Sequence, residues 1–410
     1  MKHFFLIILL LTSFSLHAQD TLTVMTYNIL NYPTQISTRY DDLKVIIQYT
    51  KPDIFICSEM NDISGVSLLL TNAFNVAPVT YYASATYMDG PDTDNMLYYN
   101  TNKVSLASQD QITTALRDIS HYSLYTCETT DTIWYDVFSL HLKASSGSAN
   151  ANDRLAECVI LSNYIGTLPT NTNIIVGGDF NFYGVTIAGE PGWNQLTVNC
   201  PQPLKDPINM PGEWQANSFY ADFHTQSTRS STNPGCCGGS TGGMDDRFDF
   251  LLINQNLKDG LEGAQYIPGT YTAIGQDGNH FNKSIIESPV NSSVPASVNT
   301  ALFNMSDHLP VLMKVRTCDI TIGLEDNIIA NHLSLSFPNE NQIWIDINYL
   351  KEEKVVAEIL TINGSLVTTS SFISIAGNNQ FQMQVPILEK GMYILRLNSV
   401  SGPIVKKFVR

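Results

Sequence analysis

The chain has 410 residues, enough for two or three domains. Its 22 Lys and Arg stand against 38 Asp and Glu, a net charge of −16. So acidic a chain repels polyanions unless a bound cation or local basic groups intervene. That argues against a non-catalytic nucleic-acid-binding module and leaves a metal-assisted enzyme open.

Taken in chain order, Met1-Lys2-His3, the apolar run over residues 4–16 and the small residue Ala18 have the layout of a secretory signal peptide over residues 1–18. The run is shorter than the roughly 20 apolar residues a membrane helix needs, and no later stretch reaches that length. No transmembrane segment is expected. Residues 22–29 read as a strand ending in Tyr27-Asn28-Ile29, and residues 39–49 as a helix with Leu43, Ile46 and Ile47 on one face. A buried strand over 53–57 runs into Ser58-Glu59, and strands follow over 96–100 and 133–140, the latter closing on Leu140-His141-Leu142. Residues 151–165 form an amphipathic helix with Leu155, Val159 and Ser162 on one stripe and Cys158 and Leu161 beside it. The strand over 173–177 leads into Gly178-Asp179-Phe180-Asn181. The strand over 247–253 carries Asp246-Arg247-Phe248-Asp249, and Ser306-Asp307-His308 opens the strand over 309–315. Near-continuous apolar strands fit sheets covered on both faces, and no Gly-rich phosphate turn opens a helix. The expected class is therefore α/β, two packed sheets flanked by helices, rather than a Rossmann fold.

Residues 200–245 carry Pro-Gly, Asn-Pro-Gly and Gly-Gly turn signals and read as one long loop. Of the seven cysteines, Cys57 and Cys158 look like buried thiols, and Cys200 is placed to bridge one of the vicinal pair Cys236 and Cys237. After Cys318 the pattern changes to short runs separated by turns, a small β-sandwich over residues 331–410. The expected division is signal peptide 1–18, catalytic domain 19–317, linker 318–330 and sandwich 331–410.

The polar residues at the strand ends suit phosphodiester hydrolysis, which needs a cation on the phosphate oxygens, an activated water and in-line positioning. Glu59 is a hard-cation ligand, and Asn28 can lend an amide oxygen to metal or phosphate. Asp179 and Asn181, two apart, point to one side of an extended turn. Asp249 can orient His308 as a base, and His141 can protonate the leaving group or hold the phosphate. Arg117 adds a phosphate contact. His121 and His224 are read as structural.

These segments ("MTYNIL", "ICSEM", "SLHLK", "VGGDFN", "DRFDFLLI" and "SDHLPV") resemble the endonuclease/exonuclease/phosphatase superfamily over about residues 21–316. The resemblance implies a four-layered α/β sandwich followed by the small all-β sandwich. It implies Asn28, Glu59 and Asp307 around a magnesium or manganese ion, with calcium as a structural ion. Asp179 and Asn181 fall on the phosphate and nucleophile, the His308–Asp249 pair matches the general base, and His141 the second catalytic histidine. The carboxylate that supports this second histidine in deoxyribonuclease-like members is matched nearest by Asp94 or Asn95. The tail, with "INGSLV", "KGMYILRL" and "KKFVR", resembles the C-terminal sorting domain of type IX secretion. Its partner is then the type IX machinery, and the protein passes through the periplasm to be secreted or attached at the cell surface. The expectation is a monomeric extracellular nuclease acting on nucleic acid. A sphingomyelinase-like lipid phosphodiesterase is the alternative, and a catalytically silent adhesin stands third.

Overall fold

The computed structural model describes residues 21–34, 36–127, 132–186, 189–233, 238–317, 333–339, 341–349, 351–361, 365–399 and 402–410. The signal peptide at 1–18, the linker at 318–330, Cys236, Cys237, Cys318 and residues 362–364 of the tail motif lie outside them. The chain divides into two units, Met1–Asp319 and Ile320–Arg410.

The first unit is built on two mixed sheets. In one, strands run in the order Ala264–Tyr266, Val311–Thr317, Thr21–Tyr32, Ile54–Met60, Asp94–Asn100 and Tyr82–Ser84, with Thr272–Ala273 also paired to Val311–Thr317. In the other the order is Ser105–Ile112, Ile119–Cys127, Thr132–His141, Asn173–Asp179 and Asp249–Ile253. Each sheet has one parallel pair at its heart, Thr21–Tyr32 with Ile54–Met60 and Thr132–His141 with Asn173–Asp179. The inner strands are apolar almost throughout because both faces are covered, and Asn173–Asp179 is buried along its whole length. Between the sheets a single core gathers Ile54, Ile56, Tyr122, Leu124, Val137, Ile175 and Leu251. Gly177 faces this seam: a Cβ there would lie 2.6 Å from Ile56 Cδ1 and 2.8 Å from Leu251 Cδ2, so only glycine lets the sheets approach so closely.

Helices cover the outer faces. Tyr40–Thr50 buries Leu43, Ile46 and Ile47, carries Asp41 and Asp42 in its first turn, and stops at Lys51, whose φ of 47° is left-handed. Ser148–Ile165 packs on the second sheet by only part of the expected stripe. Ser162 is buried, with Cys158 and Leu161 beside it, but Val159 is exposed and Leu155 half-buried, and Ala151, Arg154, Glu157 and Ile165 complete the buried face. The reason is chemical: Arg154 Nε and Nη2 meet the Glu190 carboxylate at 2.8 Å each, so a buried ion pair occupies positions an apolar pattern cannot reveal.

The described residues of the 200–245 segment form a loop, interrupted by the short 3-10 helix Ser218–Phe223 and partly packed into the fold. Trp214 is fully buried against Trp193 and Phe250, and Thr225, Ser227, Thr228 and Arg229 are buried as well. Cys200 is a buried free thiol in the same apolar cluster, which removes the expected bridge. The second unit holds a three-stranded and a four-stranded antiparallel sheet around Ile345, Ile347, Val355, Ile359 and Leu397.

Buried Arg39 ties the first sheet to the helix Ala296–Met305. Its guanidinium donates to the carbonyls of Ile29 at 2.9 Å, Leu30 at 2.6 Å and Met305 at 2.6 Å. These carbonyls flank Asn28 on one side and Ser306-Asp307-His308 on the other. Removing the guanidinium strands three acceptors, so Arg39→Ala should cost about 2–4 kcal/mol of unfolding free energy in urea titration. A loss below about 0.5 kcal/mol, the level of an ordinary surface change, would contradict this clamp.

Candidate active site

The site lies where strands of both sheets end. Irregular backbone aims its side chains: the pairing register shifts between Asn28 and Tyr32 and again between Cys57 and Met60. Glu59 has φ 64° and Asn181 φ 51°, left-handed conformations that non-glycine residues hold only when their surroundings impose them. Gly178, at φ 142°, has no room for a side chain, since a Cβ would fall 2.0 Å from the Leu140 carbonyl oxygen.

Asp179 is the hub. Its Oδ2 lies 3.1 Å from Asn28 Nδ2, 3.5 Å from His141 Nε2 and 3.6 Å from His308 Nε2, while Oδ1 accepts the Asn181 N–H at 3.0 Å. Glu59 Oε1 accepts from Asn28 Nδ2 at 2.8 Å and lies 3.7 Å from His141 Nδ1, and Oε2 accepts the Asn31 N–H at 2.9 Å. Across the hub, His308 Nδ1 donates to Asp249 Oδ2 at 2.6 Å. Asn181 Nδ2 donates to the Leu142 carbonyl, as does Arg117 Nη1, and Arg117 Nε pairs with Asp92 at 2.9 Å.

Burial pushes the Asp179 carboxyl up to about 7, the His308 charge opposing the rise while Asp249 and Glu59 add to it. Burial also raises Glu59, helped by the Asp307 charge. His308 is pulled down by burial, but Asp249, Asp179 and Asp307 outweigh it and its proton affinity ends well above the ordinary imidazole range. His141 is lowered well below that range by burial and then by the Arg117 charge, so its ring is neutral. Asp246, beside the site, is raised to about 7 by burial and by Asp245.

Glu59, His141 and Asp179 each offer a ligand atom, all within 4.8 Å of one another. Among the described residues no Lys or Arg pairs with Glu59 or Asp179, and buried carboxylates without cationic partners are costly. A divalent ion fits this donor set. The set differs from the expected one, however. Asn28 Oδ1 accepts the Leu30 N–H at 3.0 Å and its NH₂ faces the carboxylates, so the amide acts here as a donor bridge. Asp307 Oδ2 accepts the Ser240 N–H at 2.6 Å and lies 3.4 Å from Gln226 Nε2.

Neither proposed support for His141 reaches it. Asp94 is held by Tyr87 OH and the Gly90 N–H, and Asn95 donates to the Asp118 carbonyl. Two further cations near these strands, Arg154 and Arg247, are buried and paired and so have no charge to offer a phosphate: Arg154 is paired with Glu190, while Arg247 is paired with Asp206 and lies 4.3 Å over the Phe250 ring. His121 is held between Asp136 at 2.8 Å and Tyr164 at 2.9 Å, and His224 is bonded to the Trp214 carbonyl. Gln226 and Ser240, both touching Asp307, went unread because isolated polar residues in a turn-rich loop carry no periodic or spacing signal.

Residues 337–410 match the family model described as secretion system C-terminal sorting domain. No curated protein matches the chain. Solved structures similar to it include TDP2 from D. rerio in complex with a single strand DNA product, at 14% identity, covering 73% of this chain and 100% of that one, with TM-score 0.47. An endonuclease/exonuclease/phosphatase family protein from Bacteroides thetaiotaomicron matches at 13% identity, covering 73% and 99%, with TM-score 0.45. The human Nocturnin catalytic domain with bound sulfate matches at 15% identity, covering 73% and 98%, with TM-score 0.44.

Proposed function

We propose that the first unit is a divalent-metal-dependent phosphodiesterase, exported with the help of its C-terminal sorting domain, and that its substrate is nucleic acid. The observation that carries this reading is the meeting of Glu59, Asp179 and His141 with the Asp249–His308 pair at strand ends of both sheets. Magnesium or manganese, held by Glu59 and Asp179 with Asn28 and Asp307 beside them, supplies charge neutralisation at the phosphate. His308 takes the proton of the attacking water at Nε2, since Nδ1 is committed to Asp249, and can do so only where its ring is neutral, which its carboxylate neighbours shift to a pH above the ordinary imidazole range. His141, neutral, serves better as a hydrogen-bond donor to the phosphate than as the acid for the leaving oxygen. Asn181 and Arg117 flank the phosphate position. We further propose the boundaries 1–18, 19–317, 318–330 and 331–410 for signal peptide, catalytic domain, linker and sorting domain, with release outside the cell as a monomer.

Nucleic acid is favoured over lipid because the described part of the long loop presents no amphipathic membrane face: Trp214 is buried, Tyr220 and Phe223 are half-buried, and of its aromatics only Phe219 is exposed. With Arg154 and Arg247 closed off, few cations contact phosphates, and binding should have a shallow salt dependence at about −0.9 per duplex phosphate contact. The deciding comparison is hydrolysis of DNA, RNA, sphingomyelin liposomes and bis-p-nitrophenyl phosphate, each with and without magnesium. Cleavage of DNA or RNA only with magnesium is expected. Lipid turnover without either overturns the nuclease assignment, and hydrolysis of none overturns the phosphodiesterase.

A further inference from the structure

Two turns, one from each sheet, meet beside the site. The segment between Tyr82–Ser84 and Asp94–Asn100 of the first sheet carries Asp92, and the turn joining Ser105–Ile112 to Ile119–Cys127 of the second carries Arg117. Arg117 Nε donates to Asp92 Oδ2 at 2.9 Å, and Arg117 Nη1 donates to the Leu142 carbonyl at 3.1 Å. Asn181 Nδ2 donates to the same carbonyl at 3.2 Å, so the guanidinium lies next to Asn181. After burial, its charge is what lowers the proton affinity of His141. Both turns are fixed at their bases. Thr86 exchanges two bonds with the Gln109 side chain, at 2.8 and 2.9 Å, and the Gly90 N–H donates to Asp94 Oδ1 at 2.8 Å. On the other side the Thr114 N–H donates to Asp118 Oδ1 at 2.9 Å, and Thr114 Oγ1 to the Arg117 carbonyl at 2.7 Å.

The Asp92–Arg117 pair is poorly placed to serve folding. The Asp92 side chain is 46% exposed, and a pair so open to solvent adds little to stability. Asp92 also holds φ 63°, a left-handed conformation that a non-glycine residue keeps at a cost. What the pair fixes is direction. A guanidinium carries five N–H donors in one plane, and bonds at two of its nitrogens, Nε and Nη1, set the orientation of that plane. Among the described residues Nη2 has no bonded partner, which leaves it for an anion. We infer that Asp92 is a positioning residue, holding the Arg117 guanidinium so that Nη2 meets a non-bridging oxygen of the substrate phosphate beside Asn181. The identity of that anion rests on the phosphodiesterase reading above. The opposing effect is one of charge, since Arg117 without Asp92 draws anions more strongly. At so exposed a partner that attraction is screened, and the loss of orientation outweighs it.

The test pairs calorimetric binding of inorganic phosphate with steady-state kinetics on bis-p-nitrophenyl phosphate, both with magnesium. It compares the full chain with Asp92→Gly, Asp92→Asn, Arg117→Ala and the double variant Asp92→Gly/Arg117→Ala. Glycine removes the side chain and keeps the left-handed backbone. Freeing a rotamer-rich side chain should raise the phosphate Kd and the KM about 2–10-fold in Asp92→Gly, with kcat within about twofold of wild type. Asp92→Asn, whose amide oxygen still accepts from Nε, should lie between the two. Thermal midpoints of both variants should stay within about 2 °C of wild type. In the Arg117→Ala background, Asp92→Gly should move Kd and KM by less than about twofold, because its effect runs through Arg117. Wild-type Kd and KM in Asp92→Gly, or a tighter Kd, overturn the inference, as does an equal further loss in the Arg117→Ala background. If the wild type binds phosphate but turns over no phosphodiester, the functional reading falls, while weaker phosphate binding in Asp92→Gly still supports the clamp. A wild type that binds no phosphate overturns the inference.

Discussion

Replacing His308 with glutamine should lower kcat by about 10²–10⁴-fold, the range typical of losing a positioned general base. Glutamine is the sharper probe than alanine because His308 is buried and its Nδ1 donates to Asp249 at 2.6 Å. Alanine leaves the Asp249 carboxylate buried without its donor, and breaking a buried pair in that way costs about 3–5 kcal/mol. A turnover loss in His308→Ala would thus mix chemistry with unfolding, whereas the glutamine amide can still reach Asp249. The two variants should separate in thermal unfolding and agree in kcat. A His308→Gln enzyme that turns over bis-p-nitrophenyl phosphate at the wild-type rate would remove His308 from the base role.

The second large effect is the loss of the divalent ion. Chelation should abolish activity, and Glu59→Gln should raise the magnesium needed for half-maximal rate. The same ion should appear in stability, with a definite pH dependence. Asp179, Glu59 and His308 all hold protons more tightly in the folded chain than free in solution. Their contribution to stability is present at low pH and is lost as pH rises through the folded values, about 7 for Asp179. His141, whose affinity is lowered, acts in the opposite sense below about 6.5, so the interval to read is above that. From pH 6.5 to 8 the metal-free chain should lose stability, and the gain from magnesium or manganese should grow, because the cation competes with protons for the same carboxylates. At about 100 times its Kd the ion should add about 2.7 kcal/mol. A metal-induced gain that is flat across this interval would place the ion elsewhere.

The strand ends were legible because apolar runs that stop on a polar residue mark both a covered strand and the rim of a sheet. Asn28, Glu59, His141, Asp179, Asp249 and His308 meet as those runs imply. Other features left no such trace. Ser105–Ile112 and Ile119–Cys127 carry Ser, Gln, Asp and His on strands nearer the edge of their sheet, so they do not announce themselves by hydrophobicity. Val159 looked like core and is exposed, because the buried Arg154–Glu190 pair rotates the helix away from its aliphatic stripe. Arg39 could not be read at all, since its partners are main-chain carbonyls brought together only in the folded chain. Asp307 was legible as a residue but not in its surroundings, which come from Gln226 and Ser240 of a loop whose path no periodicity encodes.

Asn28, Glu59, Asp307 and His308 stand on or beside strands of one sheet, while His141, Asp179 and Asp249 stand on strands of the other. Neither half owns a complete set, and Gly177 marks how tightly the halves are pressed together behind it. On the proposed function, activity should therefore depend on the alignment of the two sheets, across which Asn28 Nδ2 meets Asp179 Oδ2 at 3.1 Å. Substitutions in the shared core, far from any reacting atom, should then act on rate through that alignment, since neither sheet carries the whole set alone.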